Sequence, residues 1–473
     1  MNSINEESGE PEKKQSYNRF PTAVISLVNS HLGAGMLGIP LAYAKAGLVP
    51  AIILHILMGL ISWFSYYFLI YSSEATGQYS YGDLAEKIFG IGGILVVEIC
   101  NFSYTFFPLW AYLILIGDFI PSLLRMMGVD ESNIFCQRWF IILIVGFFVL
   151  QPLSWFRTLD SLKYFSSLGM FSMMLTVIVM IIRFFLPFNE EVDHSHIQAF
   201  RPSFSIVQTF STLCFAFGCQ QNIPLIHSEI KERSTKRMNY INILAVLIVG
   251  TFYMIAGIFG YISFTQLFFD NKTTSGNLLT LYADKDPLAV VARIASLITV
   301  LFCCPMQSLP AQKQKQNSEK KEQPQQEKDN DWWTSNKIGP FTYDFLRSCA
   351  IGSMMVLISI VLAIFLGQVN FVFDILGSTA GSIVAFLVPS LIFWRIIRNP
   401  ARFVDQKRPC YSKTPEGIAE HDKITEKMLI PDVGCTSWSV LAWFVFICGV
   451  VFGILSLAMA IIFDTSLGDN VNW

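Results

Sequence analysis

A chain of 473 residues that is 53% hydrophobic and only 14% charged, with a net charge of −2 and a mean hydropathy of +0.49, is not a soluble domain. Its 41 phenylalanines exclude a globular enzyme hung on a single anchor. The ten cysteines lie mostly in apolar stretches without metal-ligand spacing, so no metal centre, no cofactor and no nucleic-acid partner is expected.

Residues 1–20 are polar and acidic and lack the apolar core of a signal peptide, which predicts a disordered cytosolic tail. Beyond them, a hydrocarbon core of ~30 Å asks for ~20 apolar residues per helix. On that rule about eleven spans are expected, near 21–45, 48–71, 92–120, 138–154, 163–187, 204–226, 239–264, 288–310, 344–366, 371–397 and 437–463. Residues 21–463 thus form one transmembrane domain. With the N-terminus in the cytosol, Lys and Arg favour the inside segments by about three to one. The short tail 464–473 then lies outside the cytosol.

The first span is unlike an anchor. Gly33, Ala34, Gly35, Met36 and Gly38 occupy its middle, behind Asn29, Ser30 and His31 and ahead of Pro40. A helix that breaks at mid-membrane exposes backbone groups, which is tolerated where the break lines a cavity. Free amides at the start of a half-helix suit a carboxylate, and glycine lets it approach. The third span carries Glu98, a carboxyl able to titrate, and Tyr104, whose hydroxyl could reach a substrate.

The sixth span is interrupted as well. Gly218, Cys219, Gln220, Gln221 and Asn222 precede Pro224, which disfavours helix just before itself. Carbonyls freed around Phe215 and Gly218 suit an ammonium, and Ser211, Phe215 and Cys219 could meet a side chain. Two interrupted spans, five apart and running in opposite directions, point to inverted repeats with a site between them. Further on, Asn271 begins a glycosylation sequon in an outside loop. Residues 311–336 are a Gln/Lys/Glu-rich cytosolic insertion, and 398–436 form a second cytosolic loop.

The stretches VNSHLGAGMLGIPLAYAKAG, AYLILIGDFIP and IPLIHSEIKERSTKRM resemble signatures of the amino acid/auxin permease family, within the amino acid–polyamine–organocation group. The likeness is to sodium-coupled neutral amino acid transporters and vacuolar amino acid transporters, and it covers nearly the whole chain. It implies an all-α integral membrane fold with about eleven transmembrane helices, a LeuT-like 5+5 inverted repeat with helices 1 and 6 broken, plus an eleventh helix. It implies secondary active transport, by symport, of small or neutral amino acids at the plasma membrane or at a lysosome or vacuole. A transporter-like receptor that binds amino acids without flux is the alternative. An enzyme is not expected, since no nucleophile elbow, metal motif or phosphate loop is present.

For coupling, the resemblance places Asn29 at a sodium-site position, with Ser296 and Thr299 nearby on span eight. Where sodium-coupled members have threonine, this chain has Leu301 and Cys303. His31 and Glu98 are the residues able to carry a proton instead. Glu229 matches the family's glutamate after helix six and, with Pro224, reads as a gating or structural residue.

Overall fold

The computed structural model describes residues 19–33, 35–153, 163–186, 197–201, 204–230, 233–269, 277–301, 337–338, 341–403 and 436–461. Ala34, Asn271, the insertion 311–336 and most of both tails and of the loop 398–436 lie outside them. The helices are α1 (Phe20–His31), α2 (Gly35–Ala46), α3 (Leu48–Thr76), α4 (Tyr81–Phe89), α5 (Ile91–Met126), α6 (Arg138–Leu153) and α7 (Lys163–Phe185). There follow α8 (Ile206–Ala216), α9 (Ile223–Ser228), α10 (Thr235–Phe269), α11 (Pro287–Leu301), α12 (Tyr343–Phe365), α13 (Val369–Arg398) and α14 (Thr436–Met459). A two-residue antiparallel pairing, Lys337–Ile338 with Phe341–Thr342, is a minor addition.

Every expected span carries helix. Five described helices are long and apolar enough by themselves to cross a bilayer: α3, α5, α10, α13 and α14. The pair α1 and α2, bent by 59° at its break, makes a sixth if counted as one. The surface confirms a lipid solvent. Ile53, Ile56, Leu60, Val440, Phe444, Ile447 and Ile454 are exposed, whereas His31, His55, Thr212, Arg293 and Asp374 are buried. Apolar outside with ionisable groups turned inward is the distribution of an integral membrane protein.

Without a hydrophobic drive between helices in lipid, close approach holds the bundle. At Gly260 a Cβ would stand 2.6 Å from the Pro40 ring, and at Gly257 2.7 Å from the Tyr43 ring, so α2 lies flush on α10. At Gly377 a Cβ would fall 2.0 Å from the Ser211 carbonyl oxygen, so α8 meets α13 backbone to backbone. Here α13 is wound as π-helix over Gly377–Gly381 and Ile383–Leu387, a form that collects at functional sites. Its loosened carbonyls find donors: Tyr81 Oη reaches Val384 O at 2.8 Å, and the Ser65 hydroxyl reaches Ala385 O. The α2–α3 corner turns on Gly47 at φ +83°, which a side chain could not adopt without strain. The extended segment 198–201 caps it, with Leu48 N–H on Gln198 O and Val49 N–H on Ala199 O.

Candidate functional site

The first break is local chemistry. α1 ends at His31, and Leu32 turns extended at φ −69°, ψ 107°. The second follows α8, where Phe217 and Cys219 leave helical geometry before a single 3₁₀ turn, Gln220–Asn222. Pro224 does not interrupt a helix. It sits in the first turn of α9, which starts at Ile223, where a missing N–H costs nothing.

One hydrogen-bonded chain joins the two breaks. His31 Nδ1 lies 2.8 Å from Leu27 O, and His31 Nε2 lies 2.6 Å from the Tyr66 hydroxyl. Tyr66 in turn donates to Phe217 O at 2.6 Å, a carbonyl at the cap of α8. Tyr253 on α10 donates to His31 O at 2.5 Å. Two tyrosines thus satisfy carbonyls that the interruptions release, and the C-terminal, electronegative ends of α1 and α8 both face the His31–Tyr66 pair.

The hydrogen count at this chain is unusual. The Leu27 and Phe217 carbonyls only accept, so the three contacts need three hydrogens. A neutral imidazole and a phenol hold two between them, and an imidazolium and a phenol hold three. His55 makes the contrast. Its Nε2–H donates to Gly250 O at 3.1 Å and its Nδ1 accepts from Tyr43 Oη at 3.3 Å, which a neutral ring satisfies completely.

The glycines divide by environment. Around Gly33 the nearest side-chain atom to an added Cβ is Tyr112 Oη at 3.8 Å, so no tight contact keeps this position bare. Gly35 is bare because the Phe215 ring packs on it, at 3.2 Å from a would-be Cβ. Gly38 is bare to admit Asn370 and Phe373 of α13, at 2.6 and 2.9 Å. The Met36 amide is already engaged by Gly33 O at 3.2 Å. Close helix packing therefore accounts for Gly35 and Gly38, and no such contact holds Gly33. Phe215 stacks on Phe373 with centroids 4.6 Å apart, closing α2, α8 and α13 over one another. Gly218 leaves room for Tyr104, whose hydroxyl would stand 2.6 Å from a Cβ there and 3.2 Å from one on Gly381. The hydroxyls of Tyr104 and Ser211 and the Gln220 carboxamide are buried without a hydrogen-bond partner among the described residues. Cys219 is fully buried beside them.

The remaining candidates stand apart. Ser296 Oγ is 3.3 Å from Thr176 Oγ1, and Thr299 donates to Ala295 O, with Gly169 O at 3.5 Å, so both hydroxyls tie α11 to α7. Asn29 is half-buried on α1. Glu98 lies against Gly82 at the start of α4. Glu229 caps the end of α9.

Three residues outside the sequence-based set belong with the breaks. Tyr66 and Tyr253 gave no signal, because a membrane tyrosine reads as packing. Asp374 did give one, as the single acidic residue between 371 and 397. Fully buried, it takes Lys45 Nζ at 2.8 Å on one oxygen and Thr212 Oγ1 at 2.8 Å on the other, tying α2, α8 and α13 together.

A family model described as "Transmembrane amino acid transporter protein" matches residues 18–410. Vacuolar amino acid transporter 5 of Schizosaccharomyces pombe is 24% identical over 382 residues, 79% of this chain and 84% of that protein. The Mus musculus protein named "Putative sodium-coupled neutral amino acid transporter 11" is 29% identical over 293 residues. The match with it covers 60% of this chain and 62% of the relative, and the Danio rerio protein of the same name is 26% identical over the same shares.

Proposed function

The chain belongs to the amino acid/auxin permease family, and on that premise we propose that it moves neutral amino acids across a membrane by alternating access, as a secondary active symporter. The fold we propose is the LeuT-like one: eleven spans, the first ten as two inverted five-helix repeats, α1–α2 and α8–α9 the broken members, the N-terminus in the cytosol. The observation that carries the reading is the bridge from His31 through Tyr66 to Phe217 O. It brings the ends of α1 and α8, far apart in sequence, to one place, and this supports the reading. In this proposal the backbone at Gly33 receives the substrate carboxylate, carbonyls freed near Phe215 and Gly218 receive its ammonium, and the Tyr104 and Ser211 hydroxyls lie within the same site.

For the coupling ion we propose a proton at His31. The two helix C-termini facing the ring support it. The test is uptake into proteoliposomes under an inward proton gradient without sodium, then under a sodium gradient at equal pH. Accumulation only in the first supports the proposal, and His31→Gln is expected to uncouple it. Accumulation only in the second refutes proton coupling. No accumulation of any amino acid in either refutes the transport reading.

A further inference from the structure

The inner ends of α3 and α9 carry a charged cluster that the substrate site does not use. Glu74 stands in the last turn of α3. Its Oε1 accepts from His227 Nε2 at 2.8 Å, from Arg233 Nε at 2.9 Å and from the Tyr79 hydroxyl at 3.4 Å. The Arg233 guanidinium also lies 4.3 Å over the Tyr79 ring. His227 belongs to α9, and Arg233 follows it in the turn before α10. One carboxylate oxygen therefore holds the short inner half of the sixth span from within it and from beyond its end.

The cluster is complete in charge and incomplete in hydrogen bonds. A carboxylate only accepts, so His227 Nε2 bears the hydrogen that Glu74 receives, and Nδ1 is a second polar atom to be satisfied. That Nδ1 is buried and has no partner among the described residues, while the side chain is wholly enclosed. A buried polar atom left without a partner weakens the state that contains it, and water can satisfy it once α9 moves out. At the opposite end of α3, the Lys45–Asp374–Thr212 tie is closed in the same structure. Polar ties thus stand at both ends of α3, and alternating access requires them to part in turn.

We propose that Glu74 is the inner gating residue: its carboxylate latches α9 through His227 and Arg233, and release of that latch opens the substrate site to the cytosolic side. It is a positioning residue, acting on the site only through α9, and the proposal rests on the transport reading. Cys219 reports the outcome, because it is fully buried at the break that α9 would uncover. Full-length protein in detergent is treated with N-ethylmaleimide, and alkylation of each cysteine is followed by peptide mass spectrometry. Glu74→Gln removes the charge and is expected to speed Cys219 alkylation about tenfold or more, leaving Cys136, buried in the α5–α6 loop, at the wild-type rate. Arg233→Gln gives a smaller increase, and Arg233→Lys stays near wild type. An unchanged Cys219 rate in Glu74→Gln overturns the proposal, and so does a parallel rise at Cys136, which marks general loosening. Should Glu74→Gln not fold, Arg233→Gln decides on the same two cysteines. Faster Cys219 alkylation in a protein that transports nothing leaves the latch standing and removes the transport reading. Transport with an unchanged rate does the reverse.

Discussion

Replacing Tyr66 with phenylalanine removes one oxygen and strands two buried groups. Phe217 O loses its donor at 2.6 Å, and His31 Nε2 loses its partner at 2.6 Å. Each buried polar group left unpaired costs about 1–3 kcal/mol, so the pair costs about 2–6 kcal/mol. Because Tyr66 joins the two breaks, the loss falls on the assembled site, and amino acid affinity drops at least about thirtyfold at 1.4 kcal/mol per decade. Tyr253→Phe provides the scale. It strands the His31 carbonyl alone, so about 1–3 kcal/mol is expected. Equilibrium binding of a labelled amino acid to purified wild type and both variants, with thermal unfolding in the same detergent, reads both numbers. The reasoning is refuted if Tyr66→Phe binds and unfolds like wild type, or if Tyr253→Phe is the more damaging change.

Three further outcomes follow from the packing and the charges. Gly377→Ala drives a Cβ to 2.0 Å from a backbone oxygen of α8 that has nowhere to go, so a loss of about 3 kcal/mol or more is expected. Gly59→Ala, with its nearest neighbour at 3.6 Å, changes the unfolding temperature little. Asp374→Asn leaves Lys45 without its counter-charge and costs about 3–5 kcal/mol, whereas the double change Asp374→Leu with Lys45→Met costs less than the single one in the same unfolding assay. Asp284, in the loop between α10 and α11, is pushed up by burial. Hydrogen bonds from Arg125 and Ser122 and the charges of Arg125 and Arg293 outweigh that and leave it below its usual 3.8. A carboxyl lowered by folding contributes stability above that usual value and loses it as pH falls through the folded one. Thermal unfolding followed down to strongly acid pH should therefore show an acid-side loss below about 3.8 that Asp284→Asn flattens.

Legibility in the sequence followed the range of the chemistry. The breaks after His31 and at 217–222 are readable because Gly, Asn and Pro act on their own backbone within a few residues. The reason for each glycine is not. Gly38 reads as an approach for a ligand until Asn370, more than three hundred residues later, is seen to fill that space. The bridge from His31 to Tyr66 to Phe217 spans sequence separations of 35 and 151 residues through a tyrosine among many. No periodicity marks it. Pro224 marks the break by disfavouring helix before itself, and it takes the first turn of α9, where its missing N–H is no loss. Asp374 stands alone as an acid between 371 and 397, but its role is set by partners on two other helices that no local pattern announces.

The central claim is that the joined breaks form a carrier's site. Counterflow tests it without any ion gradient. Proteoliposomes preloaded with an unlabelled neutral amino acid are diluted into a trace of the labelled one, and internal label is followed in time. A carrier that alternates between its two faces drives the label transiently above its equilibrium level, and Tyr66→Phe lowers that overshoot. Label that rises only to equilibrium, for every amino acid tried, contradicts the account.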